Sequence, residues 1–582
     1  MIGINNQHWQ VIGKHITKNV IDEILILRNV GNKHAFLYPS LSHLSDPFDM
    51  FGTLEFVKYI DYLTKNKQKK IFIHGDFDVD GISATALLWR FLSKELNLDA
   101  IPIIPNRFQD GYGISENTIK KILDLGGNVL ISVDCGIKDI DIINKYSHQI
   151  DFIVTDHHTP LEGNTNTEVS SKDNTIQINK FILPKGAKII VHPMLSEKNT
   201  NIEICGSMVV FKLCMAMNEF FKLNANLEEY SVYPCLGTIC DVMPLTQENR
   251  IIVKIGIDQL RTGKHIGIQS LARKAKINIK NINAYHLGFI IGPRLNASGR
   301  IESATDALRL LCTNSKEYAD LIAEKLEDLN KTRQNLTNTY LQLAENYVLN
   351  QELYKNKIII ILGEKWPEGI IGLLASKLSE KYERPVIVGS IIEDIIKASA
   401  RSNLNNLHIT KEISKISNLL IKHGGHEKAA GLTLKTENKE LFIRKLTEMF
   451  NYTLVLPDQN TQKLIIDASI SINIDTISEL YNIELLEPFG YQNPEPIFLI
   501  EKNKINTVTY YGKNKNHTKL NISPNDYMYS IDSILFNARL DNYMNIQDTT
   551  SKYIDIVGKF RIQKYNDDAF KPEINILDLR LH

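Results

Sequence analysis

The 582-residue chain reads as an α/β protein: a parallel-sheet domain, a long bridging helix, a second α/β domain and a C-terminal β-barrel. Three observations predict this. Up to about residue 313, short apolar runs alternate with helical patterns, as a parallel sheet requires. From Ser315 to about Asn350 the chain has neither proline nor glycine, and Ile322, Leu326, Leu329, Leu336, Tyr340, Leu343 and Tyr347 recur at helical spacing, interrupted by Arg333. After about Pro457, short alternating strands separated by turn residues suit a small barrel. The expected boundaries are an N-terminal segment 1–50, a first α/β domain 51–313, the bridge 314–351, a second α/β domain 352–456 and the barrel 457–582.

Within the first domain, Ile71-Phe72-Ile73-His74-Gly75 runs as a strand into Asp76-Phe77-Asp78-Val79-Asp80-Gly81. Three carboxylates that close repel one another, and divalent cations make them tolerable. Ile82 to Leu96 then has helical spacing, so a packing helix follows the acidic loop. The pattern recurs: Val129–Val133 runs into Asp134-Cys135-Gly136, Phe152–Thr155 into Asp156-His157-His158, and Leu236–Cys240 into Asp241. Ligands of an open parallel sheet gather outside the carboxyl ends of its strands, so four such strand or turn ends converge on one expected site. Carboxylates with one or two imidazoles and no thiolate suit Mn²⁺ or Mg²⁺ better than zinc.

Composition constrains less. Lysine plus arginine equal aspartate plus glutamate at 67 each, so no argument from overall basicity is open and basic residues must cluster locally. The six cysteines include no CxxC, which fits free thiols in a reducing compartment. Met1 to about Lys33 lacks the apolar core of a signal peptide, and no run approaches the ~18 apolar residues of a membrane span. A soluble, cytoplasmic protein is expected, with no membrane partner.

Asp76-x-Asp78-x-Asp80, Asp134-Cys135-Gly136, Asp156-His157-His158 and Asp241 resemble the successive motifs of the DHH phosphoesterase superfamily, and the wider chain resembles its RecJ family of single-strand-specific DNA exonucleases. Further likenesses are Pro105-Asn106-Arg107 with Asp110-Gly111-Tyr112-Gly113, the run Gly292-Pro293-Arg294-Leu295-Asn296-Ala297-Ser298-Gly299-Arg300, Gly424-Gly425-His426 with Ala429-Ala430-Gly431, and Glu487-Pro488-Phe489-Gly490 with Asn493-Pro494-Glu495-Pro496. They span roughly residues 50 to 582 and keep the family's order.

The resemblance implies a DHH catalytic domain, a DHHA1-type second domain and an OB-fold barrel, performing stepwise 5′-to-3′ hydrolysis of single-stranded DNA in repair and recombination with two divalent ions, Mn²⁺ or Mg²⁺. It implies that Asp134 bridges the metals and that His74, Asp78, Asp80, His157 and Asp241 complete their shells. Asp76 is then either a ligand or an acid orienting His74 or a metal water, and Asp156 orients His157. His158 is the candidate for binding the scissile phosphate or protonating the leaving group. Arg107, Arg294 and Arg300, expected in glycine-rich loops, offer guanidinium forks for phosphates, with Asn296 as a neutral donor. Ser399 and Arg401 would take a terminal phosphate, and Gly424, Gly425 and His426 complete the substrate contacts.

The chain departs from the family pattern in places. Ala398 and Ala400 stand where glycine is usual, which requires a backbone without positive φ; Pro367 follows Trp366 where histidine is usual, stiffening a helix entry; His192 replaces asparagine. Residues after His158 up to Lys188 are longer than the pattern and read as a mobile surface insertion. In the barrel, Tyr510, Tyr511, Phe536, Phe560 and Tyr565 alongside Lys513, Lys515, Lys519, Lys559 and Arg561 either contact nucleic acid or, for the aromatics, fill the core.

Two rival readings differ in class. A DHH phosphodiesterase of short oligonucleotides or cyclic dinucleotides would lack the barrel. A non-catalytic DNA-binding scaffold would have lost ligands, whereas every carboxylate is present. Single-stranded DNA is the expected partner of a monomer, with a helicase and a single-strand binding protein as candidate protein partners.

Overall fold

A computed structural model describes the chain apart from residues 1–2, 6, 164–174, 179–180, 197–202, 457–462, 513–514, 525–529, 543–552, 567–568 and 582. It comprises two compact units, one of Asp46–Met243 with Gly256–Leu456, the other of Met1–Ser45, Pro244–Ile255 and Pro457–His582.

The first unit holds an all-parallel sheet in the order Ala187–Val191, Asp151–Thr155, Val129–Val133, Ile71–Gly75, Ala100–Ile103. Strands Ile71–Gly75 and Val129–Val133 are buried along their whole length, which explains their unbroken apolar runs. After Ile71–Gly75 the chain first adds a strand on one side and later continues on the other. That switch in direction opens a crevice at the carboxyl ends of the central strands. The insertion expected to be mobile falls mainly on residues 164–174, outside those described; its flanks Leu161–Glu162, Thr175–Ile178 and Phe181–Pro184 form a small antiparallel sheet.

Ser315 caps the helix Lys316–Asn350, its hydroxyl accepting the Tyr318 N–H. The helix is about 50 Å long. Its first half buries Ala319, Ile322, Ala323 and Leu326 among helices of the first domain, and its second half sets Ala344 and Val348 against the next sheet, sharing a core with Ile359, Ile370, Leu374 and Val388. That sheet runs Ile359–Glu364, Val386–Ile392, Ile395–Arg401, Ala429–Lys435, Leu420–Gly425, parallel only in its first pair. Ala398 and Ala400 lie in a regular strand, buried and without positive φ, so alanine fits where the family pattern has glycine.

In the second unit, strands Phe498–Tyr511, His517–Pro524, Ile531–Leu535, Ala569–Leu581 and Tyr553–Asn566 pair in a closed circuit, a five-stranded OB-fold barrel. Residues read from sequence as a segment of their own pack into this unit. His8–Val11 pairs with Lys463–Ile466, His15–Ile16 pairs with Ala468–Ile470, and the buried Trp9 indole donates to Asp578 at 2.8 Å. The local pattern of residues 1–50 concealed this, because each strand is only two to four residues long.

Phe498 and Phe560 meet edge to face in the barrel core with centroids 5.6 Å apart. Phe498→Ala should cost about 3–5 kcal/mol of barrel stability, read as a lowered midpoint in denaturant unfolding.

Candidate metal centre and arginine pocket

Three adjacent strands deliver the acids. Asp76 follows Gly75, Asp134 follows Val133 with a left-handed φ of 61°, and Asp156 follows Thr155. Asp78 caps the helix Val79–Glu95, accepting the N–H groups of Asp80 and Gly81 at 2.9 and 3.1 Å. Asp80 reaches the start of a second helix, Gly206–Phe220, and accepts the Gly206 and Ser207 N–H groups at 2.6 and 2.9 Å. Asp241 differs from the expectation of a strand or turn end: it caps the helix Val232–Cys240, whose buried apolar run had suggested a strand.

Three groups of ligand atoms lie within 4.8 Å of one another: Asp76, Asp78 and Asp134; Asp134, His157 and His158; Asp80, His157 and Asp241. Asp134 belongs to two groups and so does His157. His157 Nε2 and Asp134 Oδ1 approach to 3.0 Å outside hydrogen-bonding geometry, leaving the oxygen without a donor. Asp76 Oδ1 and His74 Nδ1 are likewise buried without partners, while His74 Nε2 lies 3.3 Å from the Gly113 carbonyl. Burial, then the charge of the neighbouring acids, pushes Asp76, Asp78, Asp134 and Asp241 above the ordinary carboxylate range. Burial lowers His74 and His157 to about 4, so both imidazoles are neutral and free to coordinate. Orphaned oxygens, repelling acids and neutral imidazoles fit hard divalent cations.

Asp156 departs from its expected part. Its Oδ1 accepts the N–H groups of His157 and His158 at 2.7 and 3.0 Å, its Oδ2 accepts that of Ile137 at 3.0 Å, and its imidazole partner is His158 Nδ1 at 2.8 Å. It therefore orients His158 and not His157, whose ring is turned to Asp134. Against burial, the His158 hydrogen bond and the charges of His158, His192 and His157 hold Asp156 below the ordinary range; in return the Asp156 contact overcomes burial and lifts His158 to about 9. His192, noted as a departure, lies 2.9 Å through Nε2 from the His158 carbonyl.

Beyond His158 the second sheet begins. His426 stacks on the His158 ring at 5.7 Å and 28°, next to Gly424 and Gly425 at the end of strand Leu420–Gly425. Tyr112 Oη lies 3.2 Å from the His158 ring nitrogens. Tyr112 stood in a quoted motif but was not among the expected site residues.

A basic pocket adjoins the acids. Arg107 stands 5.0 Å over the Phe77 ring, Arg300 donates to the Gly369 carbonyl at 3.2 Å, and Arg401 donates to Ser399 Oγ at 2.8 Å. Burial, then the charges of Arg107, Arg333 and Arg401, lowers Arg300 to about 9; burial and Arg107 lower Arg401. Arg333 was overlooked as a site residue, although its interruption of the long helix's apolar stripe was the available signal. Its Nε is buried without a partner. Gly372 leaves room here, since a Cβ would stand 3.1 Å from Arg401 Nη2.

Two expectations need correction. The run Gly292–Ile301 is a helix and not a loop, because Gly292 and Pro293 occupy its first turn, where proline is tolerated. Arg294 is taken up by Glu327 at 2.6 Å and the Ile290 carbonyl at 2.8 Å, so its fork is not open to phosphate. Asn296 lies half-buried on the same helix. In the barrel, Phe560 is core, Lys519 pairs with Asp532 and Lys559 with Glu495; Phe536 is exposed, while Lys513 and the Tyr565 side chain fall outside those described.

Glycines permit the acids to crowd. A Cβ at Gly237 would lie 2.0 Å from Asp80 Oδ1, and one at Gly206 would lie 2.5 Å from Asp134 Cβ. Gly237→Ala should therefore abolish the rise in melting temperature produced by Mn²⁺ while removing no ligand, as thermal melts with and without metal would show.

Residues 70–238 match the DHH family N-terminal domain, 354–451 the DHHA1 domain and 466–578 the RecJ OB domain. The single-stranded-DNA-specific exonuclease RecJ of Bacillus subtilis is 31% identical over 577 residues, 97% of this chain and 68% of that one. That of Haemophilus influenzae is 30% identical over 588 residues, 94% and 95% of the two chains. The crystal structure of Thermus thermophilus RecJ with Mn²⁺ shares the fold, with a TM-score of 0.75 at 24% identity over 99% of this chain and 80% of that one.

Proposed function

The chain belongs to the RecJ family of single-stranded-DNA-specific exonucleases, and from that premise we propose how its residues divide the work. It hydrolyses single-stranded DNA with divalent metal, Mn²⁺ or Mg²⁺. The observation that carries the assignment is the sharing of Asp134 and His157 among three interlocking ligand groups at one crevice.

Asp134 with His74, Asp76 and Asp78 would hold one ion, and Asp134 with Asp80, His157 and Asp241 would hold a second. When bound there, the ions lower the pKa of a water and stabilise the leaving oxygen. His158, held by Asp156, binds the scissile phosphate or gives its proton to the leaving oxygen as the P–O bond breaks. Arg107, Arg300, Arg333 and Arg401 with Ser399 receive the 5′-terminal phosphate, which would fix the polarity as 5′ to 3′. His426 with Gly424 and Gly425 supports the strand from the second sheet. A monomeric state, a cytoplasmic location, and helicase and single-strand binding protein as partners are carried by family likeness alone. No helix among the described residues is long and apolar enough to cross a membrane.

Asp134→Asn should abolish cleavage of end-labelled single strands and leave strand binding largely intact, because it removes a metal charge without touching the barrel. Near-native turnover by the folded variant would sink the two-metal assignment.

Arg401→Ala tests end selection. Cleavage of 5′-phosphorylated strands should fall by about one to two decades, the equivalent of a charge-assisted contact of roughly 1.5–3 kcal/mol, with 5′-hydroxyl strands little changed. Equal fractional losses in initial rate on both substrates would reject the arginine pocket as the end reader.

A further inference from the structure

One exposed aromatic feature takes no part in the site described so far. Tyr285 and Phe289 are 61% and 72% exposed, and their rings stack on each other at 5.1 Å and 27°. Nothing in the core requires them: mutual stacking covers one face of each ring and leaves the rest to water. Phe289 sits in the π-helical turn Leu287–Ile291, directly before the helix that carries Arg300. Such turns recur at functional positions.

The backbone explains why the rings face outward. A Cβ at Gly288 would stand 3.3 Å from Ile239 Cγ2, and one at Gly292 would stand 2.5 Å from Cys240 Sγ. The glycine side of the turn is thus pressed against the end of the helix that presents Asp241. Val242, the next residue along, is 66% exposed at a φ of 57°, a conformation that β-branched residues adopt only under local constraint. An aromatic pair is therefore mounted on the element that abuts a ligand-bearing helix end.

Charge names the occupant. Between Asp258 and Glu302 the sequence has no acidic residue; Arg261, Arg273, Lys274 and Arg294 pair with Asp258, Asp320, Glu324 and Glu327, while Lys264, Lys276 and Lys280 stand exposed. In a chain of zero formal net charge these three lysines leave the segment basic on its exposed side, and the exposed rings lie within it in the sequence. Aromatic faces interleaved with cations are what an unpaired polynucleotide recognises: bases stack while phosphates follow the positive charge.

We propose that Tyr285 and Phe289 form a base-stacking platform for single-stranded DNA at the approach to the metal centre, a subsite that holds the strand through its bases, not its phosphates. This rests on the exonuclease reading above. It makes the platform indifferent to sequence, because every base offers a π face.

The test compares a long 5′-phosphorylated single strand with the same strand carrying abasic spacers beyond its first nucleotides, using the full-length protein with Mn²⁺. Phe289→Ala should raise KM on the base-bearing strand about tenfold, more than it lowers kcat. On the abasic strand wild type should already show that loss, and the substitution should add little to it. Phe289→Trp should restore the base-bearing KM, and matching melting temperatures would establish that the variants fold. An equal loss on both strands, or no loss on either, would overturn the platform. So would a change in sedimentation of Phe289→Ala with unaltered KM, which would make the face a contact between copies of this chain. Failure of wild type to degrade either strand would instead defeat the exonuclease reading on which the platform stands, so the two failures are distinguishable.

Discussion

Everything in the catalytic unit is arranged around the repulsion of carboxylates gathered where water is scarce. Two like charges 4 Å apart cost about 4 kcal/mol even at an effective dielectric constant of 20, and several such pairs converge here. The backbone neutralises part of this: Asp78 and Asp80 each take two N–H groups at helix starts, and Asp156 takes three N–H groups and an imidazole. Asp76 Oδ1, Asp134 Oδ1 and His74 Nδ1 remain buried without hydrogen-bond partners. In the assignment proposed above these are atoms that cations would satisfy, so metal binding would complete the fold locally as well as enabling the chemistry.

The same constraint accounts for features that seem unrelated. Strand order places three acid-bearing strand ends side by side, and Gly206 and Gly237 remove Cβ atoms where Asp134 and Asp80 need the space. Opposite them, Arg107, Arg300, Arg333 and Arg401 crowd one another as the acids do, and burial lowers each. In the function proposed above, a strand end bearing a phosphate would satisfy the second crowd while its scissile bond meets the first. Zero formal net charge therefore conceals a strong local separation of sign.

Much of this was legible in the sequence because it is local. The runs into Asp76, Asp134 and Asp156 announce strand ends directly, and the long helix is visible from its spacing and its lack of proline and glycine. What escaped depends on distant partners. Asp241 ends a helix whose apolar run is as continuous as a strand's, since both are buried on all sides. Arg294 matched a phosphate-binding motif, yet Glu327, 33 residues away, occupies it. Short strands near the N-terminus could not reveal that their pairing partners lie more than 400 residues further on. Arg333 was seen as an irregularity in a stripe, and its meaning required the other arginines.

His157 and His158, adjacent at one strand end, diverge in what their rings meet. His157 turns to Asp134 and stays neutral, its pKa lowered to about 4, as a metal ligand must be. Its neighbour pairs with Asp156, rises to about 9 and stacks on His426 from the second sheet. Adjacent, chemically identical side chains thus shift in opposite directions: burial and the neighbouring His158 lower His157, while the Asp156 hydrogen bond overcomes burial at His158. Asp156 accounts for the rise at His158, since it meets that ring at 2.8 Å while three backbone N–H groups hold its carboxylate. Under the proposed assignment, an acid that coordinates no metal is therefore as necessary to the division of roles as those that do, since it is what sets the His158 ring apart from its neighbour.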